Sequence, residues 1–190
     1  MRAAERLTTA RLILRRPLPT DAEAIYRRYS ADPEVTRFLA WPRHRSIDDT
    51  RRFLNFSNKE WGTWHAGPYL IELLEGERLL GSTGFSFETP NRAMTGYVLA
   101  KDSWGFGYAT EALGAIVGLG EELRIDELRA LCHPAHIASR RVLEKCGFVC
   151  QTDRVEGSQF PNLRAGSCAD ALSYIRTFDR PATMTSSPST

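Results

Sequence analysis

Lysine is almost missing from this chain. Of its 25 basic residues only Lys59, Lys101 and Lys145 are lysines, and the arginines are scattered in pairs such as Arg15-Arg16, Arg27-Arg28, Arg51-Arg52 and Arg140-Arg141. Such pairs read as solvated faces. The formal net charge is only +2, too balanced for a surface that holds a nucleic-acid backbone by charge, so no nucleic-acid partner is expected. No stretch of eighteen apolar residues occurs, which excludes a membrane-spanning helix as an expectation. The opening Met1 to Thr9 lacks the apolar segment of a secretory leader, and the cytoplasm is the expected compartment. Cysteine is sparse, and Cys132, Cys146, Cys150 and Cys168 show no C-x-x-C spacing. A chain reversal between Cys146 and Cys150 argues against a zinc set with His133 and His136. No metal is expected, and the four read as buried thiols in a reducing compartment.

What the chain does have is an ordinary globular composition: 190 residues, 42% hydrophobic and 25% charged. That length suits one sizeable domain, taken as residues 1–180. Residues 181–190 carry no charge and are rich in Ser, Thr and Pro, and are expected to form a disordered tail. The first half predicts a strand at Arg11–Arg16, then a helix opened by a capping box at Thr20 and Glu23 and buried through Ala24, Ile25 and Tyr29. A second helix starts at Ser46 with Phe53, Leu54, Phe56 and Ser57 inward. Three strands follow, over 69–74, 79–87 and 94–99, joined by short turns and therefore antiparallel. The second half alternates: helix 108–123, strand 128–132, helix 136–146 capped by Gly147, then strands from Phe148 and over 171–175. Hairpins followed by crossovers imply an α/β (α+β mixed) fold. A mixed, mostly antiparallel sheet of about seven strands is expected, with helices on both faces.

The most informative stretch is Trp104-Gly105-Phe106-Gly107-Tyr108-Ala109-Thr110-Glu111-Ala112. It follows a strand and opens a helix. Two glycines at a helix mouth leave bare backbone amides that can hold a phosphate without a basic side chain. Half of a dinucleotide fingerprint is present, but Thr110 stands where its third glycine belongs, and hairpins rather than parallel units precede the loop.

This stretch resembles the acetyl-CoA pyrophosphate loop of the GNAT N-acetyltransferase family, in the branch typified by RimJ and RimL. About thirty residues beyond that loop, His136-x-x-Ser139 followed by Leu143-Glu144-Lys145-x-Gly147-Phe148 is similar to the second signature of that branch, where Asn usually stands in place of His136. Thr9-x-Arg11-Leu12-Ile13-Leu14-Arg15 is similar to its first strand. The resemblance spans roughly Thr9 to Tyr174. It implies the acyl-CoA N-acyltransferase (GNAT) fold, acetyl-CoA as acetyl donor, and an amine acceptor, either a small molecule or a protein N-terminus, in a monomer or homodimer. It further implies that Val98 and Leu99 pair with the pantetheine amides and that the backbone of Trp104, Gly105, Phe106, Gly107, Tyr108, Ala109 and Thr110 surrounds the pyrophosphate. By the same likeness His136 lies near the pantetheine arm and Ser139 protonates the departing thiolate.

Three matters stay open in the sequence. The general base has candidates by location in Glu72, Glu88, Asp102 and Glu156, and none by motif. Glu111 reads as a structural carboxylate, and Tyr97 reads as core before site. Acceptor specificity is expected from Phe38 to Arg45, the second helix and the loop 156–166, where Phe160-Pro161-Asn162-Leu163 can dock back as a lid. A non-catalytic acyl-CoA-binding module and a nucleotide- or NAD-binding protein are the competing functions.

Overall fold

The computed structural model describes residues 2–163 and 168–178, with the side chains of 152–154, 157–159 and 168–169 left aside. Among the described residues eight strands form one sheet: β1 (Arg6–Thr8), β2 (Leu12–Arg15), β3 (Pro68–Leu73), β4 (Leu79–Thr89), β5 (Arg92–Leu99), β6 (Glu127–Cys132), β7 (Val149–Gln159) and β8 (Cys168–Thr177). Their order is β1-β2-β3-β4-β5-β6-β8-β7, and only β5 and β6 run parallel. The strand beyond the expected seven is β1, three residues at the sheet edge and too short to show a period. The expected tail at 181–190 lies outside the described residues.

Helices cover both faces: α1 (Ala22–Ile25, continued by a wider turn through Ser30), α2 (Ile47–Trp64), α3 (Tyr108–Glu122) and α4 (Ile137–Lys145). The sheet's two-residue alternation divides the core between them. Leu70 turns to a cluster with Ile25, Tyr29, Leu54 and Val98. Its neighbours Tyr69 and Ile71 turn to a larger one with Leu113, Ile116 and Leu128. Among the described residues no helix is long and apolar enough to cross a membrane.

Several local expectations shift. The capping box lies two residues earlier than Thr20, at Leu18 and Asp21. Asp21 Oδ2 accepts the Leu18 amide at 2.7 Å, because Pro19 already starts the turn. On α1, Ala22 is buried and Ala24 exposed, since positions 22, 25 and 29 share one helical face. Phe56 is 43% exposed instead of inward, while Ser57 is buried as expected and Glu60 is buried beside it. Of the described cysteines only Cys132 is buried; Cys146 is intermediate and Cys150 exposed.

A knot of charge ties β2 to the start of α3. Glu111 Oε1 accepts the Thr9 hydroxyl at 2.6 Å and the Arg11 amide at 2.9 Å, and Oε2 meets the Arg11 guanidinium at 2.7 Å. Burial alone raises the Glu111 carboxyl, and the bonds from Thr9 and Arg11 outweigh it, holding the group below its ordinary range. A depressed carboxylate stabilises the fold above its unfolded pKa and loses that contribution as pH falls through the folded value. Glu111→Ala is therefore expected to cost about 2 kcal/mol near neutrality, discounted for the half-exposed Arg11, and to lower Tm by ~6 °C. Thermal melts of wild type and variant should converge in acid.

Candidate active site

The cleft opens where β5 and β6 part. They pair only through Arg92–Glu127, Ala93–Leu128 and Met94–Arg129. Beyond that β5 runs on to Leu99 and β6 to Cys132 without pairing. The resulting gap measures about 490 Å³. Met94 to Val98 form one wall and Ala130 to Cys132 the other. His136, Ser139 and Leu143 of α4 close one side, and Phe38 to Trp41 of the α1–α2 loop form the roof.

Tyr97 spans this gap. Its hydroxyl donates to Ser139 Oγ at 3.1 Å and reaches the Ser139 carbonyl at 3.4 Å. Having accepted that bond, the Ser139 hydroxyl keeps its own proton to donate onward. Burial pushes the Tyr97 phenol well up, with the Ser139 bond acting against it, so Tyr97 remains a donor at neutral pH. Tyr97 thus belongs to the cleft as well as to the core it packs against. The sequence places it in the core first because aromatics on a strand look alike whichever face they serve.

The backbone of β5 is divided. A β-carbon on Gly81 would fall 1.9 Å from the Val98 carbonyl oxygen, so Val98 turns that group toward β4 and Gly81 admits it. Leu99 faces the other way, and its carbonyl accepts the Trp104 indole N–H at 2.9 Å. Alternation then points the Tyr97 peptide groups, like those of Leu99, into the splay. Of the two residues expected to offer backbone there, Leu99 has its carbonyl engaged and Val98 faces its neighbour strand.

The glycine loop stands at the end of the same strand. Gly105 and Gly107 have φ of 84° and 80°, the left-handed region that suits glycine. Gly107 is the N-cap of α3, with no side-chain cap, so the amides of Tyr108, Ala109 and Thr110 are offered outward. A β-carbon at Gly105 would meet nothing within 4 Å, and one at Gly107 only the Arg11 guanidinium at 3.6 Å. The mouth is open space bordered by bare amides, which fits a phosphate-bearing group. Arg11 braces it from behind. The guanidinium lies 4.8 Å from the Tyr108 ring centre and donates to the Phe106 carbonyl at 3.0 Å. Phe106 and Trp104 are exposed, and Phe106 stacks on Tyr108.

His136 holds the N-cap position of α4 but makes no side-chain capping bond. Its ring stacks on Phe38 at 5.0 Å, Phe38 stacks on His133 at 4.9 Å, and His133 meets Phe160 edge-on at 4.8 Å. Burial lowers both imidazoles, with the charge of Arg37 acting further on His133 and that of His133 on His136, so both are neutral at pH 7. Phe160 is buried and lines the cleft, so the segment expected to fold back does so. Asn162 fastens it. Its carbonyl accepts the Arg43 amide at 2.7 Å, and its amide donates to the Thr36 and Trp41 carbonyls at 2.8 Å each.

None of the four carboxylates considered as base lines the cleft. Glu72 is bound by Arg15, Asp102 by Arg28 and Arg78, and Glu88 and Glu156 are exposed. Among the described residues no group of His, Cys, Asp and Glu gathers as a metal ion requires.

A sheet that splays between its two parallel strands, with a glycine-lined helix mouth at the end of the first, is the architecture of the acyl-CoA N-acyltransferases. Residues 11–149 match the family model described as the acetyltransferase (GNAT) domain, and the chain belongs to that family. It is 31% identical over 145 residues to the uncharacterized N-acetyltransferase YoaA of Bacillus subtilis, covering 75% of this chain and 81% of that one. To the uncharacterized N-acetyltransferase p20 of Bacillus licheniformis it is 28% identical over 147 residues, covering 76% and 82%. In fold it is similar to the GNAT acetyltransferase of Bacillus anthracis, with TM-score 0.75 and 24% identity over 90% of this chain and 98% of that one. It is also similar to the ribosomal L7/L12 α-N-protein acetyltransferase RimL solved with coenzyme A, with TM-score 0.80 and 20% identity over 91% and 97%.

If Asn162 is what seats the roof, Asn162→Ala should leave the sheet intact but free the Thr36–Arg43 loop. Hydrogen exchange of the Trp41 and Arg43 amides is expected to accelerate by at least ~10-fold, the loss of about 1.4 kcal/mol of local protection, while amides of β3 and β4 stay unchanged.

Proposed function

We propose that this protein transfers the acetyl group of acetyl-CoA to a primary amine, either a protein N-terminal α-amine or a small molecule, by direct attack in a ternary complex. Residues 1–180 are the transferring unit, working in the cytoplasm as a monomer or homodimer. The observation that carries this reading is the Tyr97–Ser139 pair set across a splayed strand, one turn of chain from a bare helix mouth. RimL was solved with coenzyme A and the immunity acetyltransferase MccE with acetyl-CoA and AMP, proteins whose fold this chain shares.

In this assignment the amides of Gly105 to Thr110 hold the pyrophosphate, and Trp104 locks the preceding turn by its bond to Leu99. The outward peptide groups of Tyr97 and the Leu99 amide align the pantetheine arm, Val98 sets their register from its pairing with β4, and His136 closes the arm's far side. Acetyl-CoA supplies a thioester whose carbonyl carbon accepts the amine. Ser139, primed by the Tyr97 hydroxyl, donates the proton that the departing sulfur takes. Cys132 is the described cysteine that lines the cleft, and burial raises its thiol above the ordinary value, with the Ser139 hydrogen bond acting against it. It is a poor nucleophile at neutral pH, which favours direct transfer over an acetyl-cysteine relay. A binding module without catalysis has no use for a hydroxyl pair aimed across the gap.

Calorimetric titration with acetyl-CoA tests the reading, and no heat at millimolar ligand rejects it. Gly107→Glu places a side chain at φ 80° and a carboxylate against the pyrophosphate, so acetyl-CoA binding should vanish while the fold persists. Near-normal affinity would refute the site. Ser139→Ala should lower kcat by ~10²-fold with acetyl-CoA affinity kept, the low end for general acid catalysis, and an unchanged rate would remove Ser139 from the reaction.

A further inference from the structure

A second hollow of about 380 Å³ adjoins the cleft, and the two share Trp41, Phe56 and Ser82 in their walls. It is lined by aromatic rings from three segments: Tyr29 after α1, Trp41 from the loop, and Phe53 and Phe56 from α2. His44 enters it already oriented. Its backbone amide donates to the Ser30 carbonyl at 3.0 Å, its Nδ1 shares a 2.8 Å hydrogen bond with Thr50 Oγ1, and its ring lies 5.1 Å from Trp41. In the tautomer whose Nδ1–H donates to Thr50 Oγ1, Nε2 keeps its lone pair and is the nitrogen left to accept a proton in the hollow. The Tyr29 hydroxyl is fully buried in the same wall and makes no hydrogen bond of ordinary length, Ser82 being the polar group near enough to influence it. A buried hydroxyl of this kind wants a polar partner that the fold itself does not bring.

The charges are as informative as the rings. Asp49 is the carboxylate that lines either hollow among the described residues. It is already committed: Oδ2 accepts the Arg45 and Ser46 amides at 2.8 and 3.0 Å, and Oδ1 meets the Arg52 guanidinium. A polycationic acceptor would find no free anion here and one resident cation, Arg52. The groups acting on His44 itself are these two. Burial lowers its imidazole, Asp49 raises it and Arg52 lowers it, and the balance keeps it neutral at pH 7.

We propose that the second hollow is the acceptor site, that it takes a monoamine carried on an aromatic or apolar body, and that His44 Nε2 is the base that removes the amine's proton. This rests on the acetyl-transfer reading above. The step balances. The ammonium gives one proton to Nε2, and its lone pair then attacks the thioester carbon. The carbon–nitrogen bond forms and the carbon–sulfur bond breaks. Ser139 gives its proton to the sulfur and regains one from the nitrogen, and the imidazolium releases the first proton to solvent. His44 is a catalytic residue in this scheme, while Thr50 positions it.

The test compares phenylalaninamide, an α-amine of low pKa on an aromatic body, with spermidine as acceptors, using the full chain with acetyl-CoA. Phenylalaninamide should be acetylated with a kcat/KM at least tenfold higher. His44→Asn, whose amide can still bond Thr50, should lower kcat by ~10²-fold at pH 7 with Tm and acetyl-CoA affinity kept, and recover as pH rises and the free amine becomes neutral. In wild type, the His44 imidazole resonances should shift when phenylalaninamide is added. A preference for spermidine, turnover of neither amine by protein that binds acetyl-CoA, a wild-type pH–rate profile in His44→Asn, or unmoved His44 resonances would each overturn the assignment. Should His44→Asn fail to fold, the wild-type resonances decide. Absence of acetyl-CoA binding by wild type would instead reject the transfer reading.

Discussion

The parting of β5 from β6 is the constraint on which the rest depends. A parallel pair left to itself would zip along its length and bury its peptide groups. Here the base is fixed: the Asn91 carbonyl accepts the amides of Asp126 and Glu127, and the Asn91 side chain bonds Asp126. Three register pairs follow, and then α4 intervenes, with Ser139 bonded to Tyr97 across the opening. Unpaired strand inside a protein is costly unless something else takes its donors and acceptors. The indole of Trp104 takes one, the Leu99 carbonyl. What stays free is peptide backbone facing a gap, which is a surface suited to an extended, amide-bearing ligand.

Beside that gap, the loop at the mouth of α3 is kept in shape by residues nearly a hundred positions away. Two glycines with positive φ make a mobile loop unless something restrains it. Arg11 does so by bonding Phe106, covering Tyr108 and meeting Glu111, and Glu111 in turn holds Thr9. The arginines that looked like solvated faces are therefore not all alike. Arg15 bridges Asp21 and Glu72, and Arg28 reaches the Leu79 carbonyl and Asp102. Each joins segments far apart in sequence with a planar fork that lysine does not have, which accords with a chain that uses so few lysines.

Much of this was legible in the residues. The hairpin turns, the helix from Tyr108, the cap at Gly147 and the glycine loop all follow from local chemistry, and their bounds fall within a few residues of the observed ones. The strand β1 was not legible, because Arg6-Leu7-Thr8 is too short and polar to carry a period. Long-range pairings were not legible either. Nothing local in Asn162 says that it will bond Thr36, Trp41 and Arg43, and nothing in His44 says that Thr50 will orient it. Phe56 shows the general difficulty: helical spacing assigns it inward, and the fold uses it as the wall of a cleft, where an apolar ring is half-exposed for a reason spacing does not encode. The four carboxylates weighed as bases failed for the converse reason, since sequence cannot show that arginines have already taken Glu72 and Asp102 or that Glu88 and Glu156 stand in solvent away from the cleft.

In the acceptor site we propose, the chemistry of the amine follows from how few charges the cleft tolerates. An α-amine with pKa near 8 is roughly a quarter neutral at pH 7.4, whereas a lysine amine is neutral about once in a thousand. The first needs little help to become a nucleophile, and the second needs a strong base held close. Histidine is the kind of base this site offers, with imidazoles that burial keeps neutral. A neutral imidazole of lowered basicity can relieve a weakly basic ammonium at modest cost, but it works steeply uphill against a lysine-like one. The same burial that lowers these histidines makes a second positive charge in the acceptor unwelcome. On that proposal, acceptors with a single amine of low pKa, joined to a body that fills the aromatic hollow, are selected twice, once by solvation and once by proton affinity.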